Sequence, residues 1–263
     1  MMRRAGRGNC FLLLLLLVLS LPVISNTQEP VSCTAHFKLG IGEPWPPFFM
    51  HDNNQYFGID IDITRLIFKK LNYCLEIVKL PSSARGILQL KRGEIDFLNA
   101  ASFNEERAKI GWFSSPYRSE AMRIFHHKKN RDKFQISSLY ELQKQDLVGV
   151  VNLGAYYGEE FSYLMRETSF NSKIASVPSV EQRMKMLELG HVDFVIDDIV
   201  PGRYYLRHHQ NAMLEMASYA VHDNPIYFLF SRKTVSPEQV SLFNQVILRH
   251  YAEIEAVVDH YLY

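Results

Sequence analysis

Short apolar strands alternate with amphipathic helices along this chain, and the alternation restricts the folds that it can adopt. In the first half, strands and helices are predicted in turn over residues 37–42, 60–71, 74–80, 83–91 and 95–101. Further strands are predicted over residues 121–127, 147–151, 192–198 and 226–230. A strand, a helix and a second strand form a βαβ unit, whose strands lie parallel in one sheet. The sequence therefore predicts an α/β fold with mixed, mostly parallel sheets flanked by helices.

A short pattern occurs twice and indicates two related structural units. Residues 91–98 (KRGEIDFL) and residues 189–196 (LGHVDFVI) both pass from a helix end through glycine to an apolar strand containing Asp-Phe. Repeated patterns indicate repeated units, so we expect two similar lobes. The predicted boundaries place residues 33–117 and 226–263 in lobe one, residues 121–221 in lobe two, and a hinge near residues 118–121 and 222–225. Hinges absorb domain closure in a few residues of this kind.

The first 25 residues have the pattern of a secretory signal peptide. Arg3, Arg4 and Arg7 precede an unbroken apolar run that begins at Phe11, and small or branched residues follow at the usual cleavage spacing. The run is short for a membrane span, although an uncleaved N-terminal anchor is an alternative. We expect cleavage after Ser25 and export to the periplasm.

The cysteine count predicts one disulfide. Beyond the signal peptide only Cys33 and Cys74 remain, and an exported chain with two cysteines is typical of a single bridge. The two residues lie at the starts of strands that a right-handed βαβ unit places side by side. Two separate buried thiols are the alternative. The chain has no Cys-x-x-Cys or His-x-x-x-His spacing, so neither a metal site nor a cofactor is predicted.

The charge of the chain limits the kinds of partner that it can bind. The formal net charge is +1 and no basic run is present, which argues against a nucleic-acid partner. In open α/β sheets, ligands bind beyond the carboxyl ends of the strands. The proline-rich loop at 43–48 and the helix start at Asn104 both follow predicted strands. A small-molecule site is therefore expected at that edge.

Arg107 is the first candidate for this site. It lies in the first turn of a helix, where its cationic head opposes the helix dipole. A guanidinium beside free N–H groups is well suited to bind a carboxylate through paired hydrogen bonds. The alternative is a surface arginine paired with Glu105 or Glu106, since such exposed pairs are common.

Asp198 is the candidate of opposite charge. It ends the predicted strand at 192–198, where a carboxylate could accept hydrogen bonds from an ammonium group. Side chains alternate along a strand, so Asp197 is expected on the other face. A solvated acid at the strand end is the alternative reading. Aromatic side chains near the same edge could line a pocket: Trp45, Phe48, Tyr156 and Tyr157. The alternative is that each of them packs in the hydrophobic core.

Taken in order, several motifs resemble those of family 3 periplasmic solute-binding proteins of the polar-amino-acid type. The motifs are residues 57–62 (FGIDID), 90–96 (LKRGEID), 104–107 (NEER), 113–117 (FSSPY) and 189–198 (LGHVDFVIDD). The resemblance spans nearly all of the chain after the signal peptide. It implies a two-lobed fold, in which Arg107 grips the α-carboxylate of an amino acid and Asp198 takes its α-amino group. Ser102 matches a position that joins the arginine in ligand binding.

The chain departs from the family pattern in its predicted pocket walls. Asn104 replaces a threonine helix cap, and residues 152–158 (NLGAYYG) lack the usual Gly-Thr or Gly-Ser turn. Relatives often place an aromatic side chain where the second helix begins; here the segment 81–85 (PSSAR) brings Arg85 to the predicted pocket.

Three functions are compatible with the resemblance. The preferred one is a monomeric, non-enzymatic binding protein that clamps an amino-acid-like ligand for an inner-membrane ABC permease. A sensory binding protein is the second. The third is an enzyme similar to a periplasmic dehydratase of cyclohexadienyl acids, for which Glu43 is the candidate general acid or base.

Overall fold

The predicted strands join in one nine-stranded sheet. The structure is a computed structural model that describes residues 32–210 and 213–262. Its strands are β1 (Ala35–Ile41), β2 (Met50–Asp52), β3 (Gln55–Phe57), β4 (Tyr73–Lys79), β5 (Phe97–Ser102), β6 (Gly111–Phe113), β7 (Arg118–His127), β8 (Gly149–Val151), β9 (Ile174–Ser176), β10 (Phe194–Asp198) and β11 (Leu214–Ser231). The predicted signal peptide lies outside the described residues.

Helices lie in the connections between the strands. They are α1 (Ile59–Leu71), α2 (Ser83–Arg92), α3 (Glu105–Ile110), α4 (Leu139–Gln143), α5 (Gly158–Leu164), α6 (Thr168–Asn171), α7 (Val180–Glu188), α8 (Ile199–His208), α9 (Pro237–Arg249) and α10 (Tyr251–Leu262). A 3-10 helix covers Lys128–Phe134. Within residues 32–210 and 213–262, no helix is long and apolar enough to cross a bilayer.

Two parallel groups of strands flank a central antiparallel pair. The strand order is β4-β1-β5-β11-β7-β10-β8-β9, and β6 pairs with β11 outside this path. The contacts of β1 with β4 and β5 are parallel, as are those of β8 with β9 and β10. The middle strands β7 and β11 run antiparallel. The predicted α/β fold with mixed, mostly parallel sheets is therefore confirmed.

Side-chain caps fix the starts of several helices. The Asn104 side chain accepts from the backbone N–H of Arg107 at 2.8 Å and caps α3. Ser179 caps α7 by accepting from the Gln182 N–H. Ser236 forms a full capping box at α9, with proline at the start of the helix. Each cap satisfies N–H groups that the helix itself leaves unpaired.

The buried apolar side chains separate into clusters that follow the two halves of the fold. One cluster draws all its buried members from residues 37–117 and 226–254. Two others draw theirs from residues 122–221 and 125–214. This separation agrees with the predicted lobes, but their boundaries and the hinge motion stay predictions. The described residues from Cys33 onward form one compact unit.

The chain crossings between the halves lie side by side in the middle of the sheet. In the register of β7 with β11, Ala121 faces Asp223 and Ser119 faces Pro225. Next to them, the Arg118 guanidinium donates to both carboxylate oxygens of buried Asp60, at 2.7 and 2.8 Å. This ion pair ties the start of β7 to helix α1.

The predicted disulfide joins Cys33 and Cys74, whose Cα atoms are 5.5 Å apart. It connects the segment before β1 to the adjacent parallel strand β4, as the βαβ geometry requires. Ligand atoms of His36 and the two cysteines lie within 4.8 Å of one another. Because both sulfurs are consumed in the disulfide, this group lacks the thiolates that a metal ion would need.

Two elements of the second half were not predicted as the structure has them: α8 was not predicted at all, and β11 is longer than expected. Helix α8 follows β10 without a loop, and β11 begins at Leu214 rather than near Ile226. Pro201 occupies the first turn of α8, where a missing N–H is tolerated. The extension of β11 is held by pairing with β7 across two register shifts, so a non-local partner stabilises it.

Candidate functional site

A cavity of about 100 Å³ lies beyond the carboxyl ends of the parallel strands. In this measure the volume has room for several water molecules or a small organic ligand. Its lining comes from the loops after β1, β4 and β8 and from the ends of β5 and β10, including Gly42, Trp45, Ser82, Asn99, Ser102, Asn152, Tyr156 and Asp197. Both halves of the fold therefore contribute walls, at the edge where α/β sheets bind ligands.

Arg107 lines this cavity and is held by backbone oxygens. Its guanidinium donates to the carbonyl of Ser102 at 2.8 Å and to the carbonyl of Gly154 at 3.2 Å. The described contacts of the guanidinium thus go to carbonyls rather than to Glu105 or Glu106. Burial lowers the pKa of Arg107, and Glu120 opposes that shift. A carboxylate bound here would relieve the desolvation of the guanidinium.

Gly154 brings the loop after β8 close to the start of α2. Its φ is +87°, and a Cβ atom at this position would lie 2.4 Å from the backbone nitrogen of Ala84. Glycine is therefore required on both conformational and steric grounds. This close approach delivers the Gly154 carbonyl to Arg107 from the second half of the fold.

Glu120 is a site residue that the sequence reasoning missed. It is buried in the cavity wall, and its Oε1 atom accepts from the Ser102 hydroxyl at 2.6 Å. Burial raises its pKa, while Ser102, Arg118 and Arg107 oppose the rise. The sequence signal that could have identified it is a charged residue within a predominantly buried strand, just after the Pro-Tyr turn.

Of the two adjacent acids, Asp197 is the one that lines the cavity. Its Oδ1 accepts from the indole N–H of Trp45 at 3.0 Å, and its Oδ2 pairs with buried Arg183. Arg183 also donates to the carbonyls of Val177 and Pro178. The charge of Asp197 is therefore compensated within the protein, and Trp45 links it to the proline-rich loop.

Asp198 is buried but lies outside the cavity lining. Its Oδ1 accepts from the Val200 N–H at 2.7 Å and caps α8, and its Oδ2 accepts from the Ala121 N–H at 3.1 Å. Burial raises its pKa to about 7. The role of Asp198 in ligand binding stays a prediction. In this structure both of its carboxylate oxygens accept hydrogen bonds from backbone N–H groups.

The other predicted site residues divide into two groups. Ser102, Trp45 and Tyr156 line the cavity together with Arg107. Phe48 lies behind Trp45, with ring centroids 4.6 Å apart. Arg85 lies on an exposed part of α2, outside the lining.

Two further polar groups of the lining bear on its chemistry. The Asn99 side-chain nitrogen is buried without a hydrogen-bond partner, so a ligand oxygen could satisfy it. Glu43, the candidate for acid or base chemistry, lies 3.6 Å from the Lys79 ammonium.

Comparisons with known proteins agree with this geometry. The family model of bacterial extracellular solute-binding proteins, family 3, matches residues 37–204. A comparison with curated proteins finds no match. Among solved structures, an ancestral arginine-binding protein bound to arginine is 22% identical over 86% of this chain and 97% of its own, with a TM-score of 0.74.

Two other solved structures broaden the picture. An ancestral amino acid-binding protein, a precursor of cyclohexadienyl dehydratase, is 23% identical over 86% of this chain and 95% of its own, with a TM-score of 0.70. A histidine kinase sensor domain is 21% identical over 86% and 97%, with a TM-score of 0.72. At these identities the likeness shows a shared fold. Together with the family match, it shows that the chain belongs to the bacterial extracellular solute-binding proteins of family 3.

Proposed function

We propose that this protein binds a small amino-acid-like ligand in the cavity and releases it chemically unchanged to a membrane partner. The protein acts as a monomer in the periplasm, and its two lobes close over the ligand. Arg107 binds the ligand carboxylate, with Ser102 and the buried amide of Asn99 beside it.

The single observation that carries the proposal is the position of Arg107. Its guanidinium lines a cavity to which both halves of the fold contribute, and carbonyls from both halves fix its orientation. A planar guanidinium held in this way is suited to paired hydrogen bonds with a carboxylate. Ligand binding would then draw the two halves together.

The proposed partner is an inner-membrane ABC permease. A sensory role is the second candidate, because a histidine kinase sensor domain shares the fold. Uptake of labelled ligand by cells with and without the protein distinguishes the two roles. Loss of uptake supports transport, whereas loss of a transcriptional response with normal uptake supports sensing.

An enzymatic role is less well supported. Glu43 is the carboxylate proposed for acid or base chemistry, and it lies near Lys79 at the cavity mouth. Incubation of the ligand with a stoichiometric amount of protein, followed by mass analysis, tests this point. Unchanged ligand supports a binding protein, and a dehydrated product would contradict it.

A ligand screen and one substitution test the proposed site. Thermal shifts against amino acids and related acids identify ligands, because a ligand that binds the folded state raises the melting temperature. Calorimetry should then show that Arg107→Ala weakens binding on the order of 100-fold, or about 2.7 kcal/mol. Arg107→Lys should rescue binding poorly, because an ammonium group lacks the paired donors.

Arg249→Ala is the matched control, since Arg249 is exposed on α9. It should bind like the parent protein. If Arg107→Ala also binds like the parent, Arg107 is not the carboxylate anchor and the proposed site is wrong.

A further inference from the structure

Glu120 differs from Glu43 and Asp197, the other two carboxylates of the cavity lining, because no described residue forms an ion pair with it. Asp197 is ion-paired with Arg183, and Glu43 lies 3.6 Å from the Lys79 ammonium. For Glu120, the described residues supply no ion-pair partner within 4.0 Å. Its hydrogen-bond partners are neutral: the hydroxyl of Ser102 and the side chain of Asn224.

The neighbouring arginines do not fill this role. Arg118 is committed to both oxygens of Asp60. The Arg107 guanidinium donates hydrogen bonds to the carbonyls of Ser102 and Gly154. Both arginines lower the pKa of Glu120 from a distance, but burial is the larger effect and raises it.

The position of Glu120 makes this lack of a counter-ion significant. Glu120 is only 4% exposed and lies in β7, opposite Asn224 in the central strand pair. A buried carboxylate without a partner is strongly unfavourable unless something compensates its charge. An ionised carboxylate has two oxygens with about four acceptor sites. The hydroxyl of Ser102 and the side chain of Asn224 occupy two of them, so acceptor capacity remains for a ligand.

Asp198 is the competing group, and its geometry is less suitable. Both of its oxygens accept backbone N–H groups, from Val200 and Ala121, and the residue lies outside the lining. To reach a ligand in the cavity, Asp198 would have to move from its position at the start of α8, because it does not line the cavity. Glu120 requires no such rearrangement.

We propose that Glu120, rather than Asp198, binds the ammonium group of the ligand. Arg107 and Glu120 then form a pair of opposite charges within one cavity, which selects zwitterionic amino acids over acids that lack the ammonium group. This inference rests on the proposed function, because it assigns a second anchor to the same binding site.

Matched pairs of ligands test the assignment. The probes are the common L-amino acids and the 2-oxo acids with the same side chains, which keep the carboxylate and lack the ammonium group. Calorimetry on the parent protein should show a preference for the amino acid of a pair. Glu120→Gln should weaken amino-acid binding by about 50-fold or more and change 2-oxo-acid binding by less than about threefold, since charged hydrogen bonds are the strong ones.

Two further variants separate a binding role from a structural one. Glu120→Asp keeps the charge on a shorter side chain and should retain part of the preference for the amino acid; it also serves as the test if Glu120→Gln fails to fold. Asp198→Asn should weaken amino-acid and 2-oxo-acid binding equally or not at all. Circular dichroism and the urea midpoint establish that each variant is folded.

The possible outcomes are distinct. An equal loss of both probe classes in the Glu120 variants, or a loss specific to amino acids in Asp198→Asn, overturns the assignment of Glu120 while the binding function stands. The same holds if the parent protein prefers the 2-oxo acids. A parent protein that binds neither class overturns the proposed function and this inference together.

Discussion

The buried ion pair between Asp60 and Arg118 should dominate the stability of the junction between the two halves. The Asp60 side chain is 0% exposed and the Arg118 side chain 4%. Tyr117 adds a hydrogen bond to the same carboxylate at 3.0 Å. On its other side, the guanidinium lies 3.8 Å from the centre of the Phe48 ring.

Replacing Arg118 with methionine should lower the free energy of unfolding by about 3–5 kcal/mol, because it leaves the Asp60 carboxylate buried with only neutral partners. Loss of the cation–π contact with Phe48 adds about 0.5–2 kcal/mol. A domain has only about 5–15 kcal/mol of net stability. The single variant should therefore unfold at a much lower urea concentration.

A second variant and a control make the experiment decisive. The double variant Asp60→Leu with Arg118→Met removes both charges and should be clearly more stable than the sum of the single losses implies. Arg65→Met breaks the pair with Asp62, whose side chains are 48% and 34% exposed, and should change stability by less than about 1 kcal/mol. Additive losses, or an Arg118→Met loss as small as that of Arg65→Met, would refute the reasoning.

Three other predictions concern the disulfide, the cavity wall and the paired acids. Cys33→Ser should lower the free energy of unfolding by about 4 kcal/mol, since the bridge to Cys74 spans 41 residues; a reductant should then lower the melting temperature of the parent only. Trp45→Phe removes the hydrogen bond to Asp197 and should weaken ligand binding in calorimetry roughly tenfold; unchanged affinity would contradict the proposed closure. Burial raises the pKa of Asp198 from 3.8 to about 7. Protonation of Asp198 therefore stabilises the folded state at low pH. This contribution, up to ~4 kcal/mol, is lost as the pH rises from about 4 to 7. Urea unfolding of Asp198→Asn at pH 5 and pH 8 should lack this part of the pH dependence, and an unchanged dependence would count against it.

Local signals predicted much of the fold. The caps at Asn104, Ser179 and Ser236 are formed by side chains that satisfy N–H groups within three residues, so sequence alone locates them. Helix α8 gave a weaker signal, because its capping residue Asp198 also ends a strand. The length of β11 was not predictable from its own residues, since pairing with β7 holds its first half.

Only part of the candidate site could be predicted, because the contacts of each side chain depend on distant residues. The rule that ligands bind at the carboxyl ends of parallel strands selected Arg107, Ser102, Trp45 and Tyr156, and these residues line one cavity; their part in ligand binding stays a prediction. The rule locates strand ends and does not say how far each side chain reaches. Phe48 and Arg85 are near that edge in sequence, yet packing on Trp45 and exposure on α2 place them outside the lining.

Asp197, Asp198 and Glu120 show how much a sequence pattern says about which acid faces the cavity. Alternation along β10 separates Asp197 from Asp198, but it cannot say which one faces the cavity, because Trp45 and Arg183 decide that from distant positions. β7 contains no second acid that competes with Glu120 for the cavity. The Glu120 side chain is only 4% exposed and lines the cavity, whereas the preceding Ser119 is exposed. A carboxylate that is buried without a counter-ion either takes up a proton or is paired by a cation, and the ammonium group of the proposed ligand is such a cation.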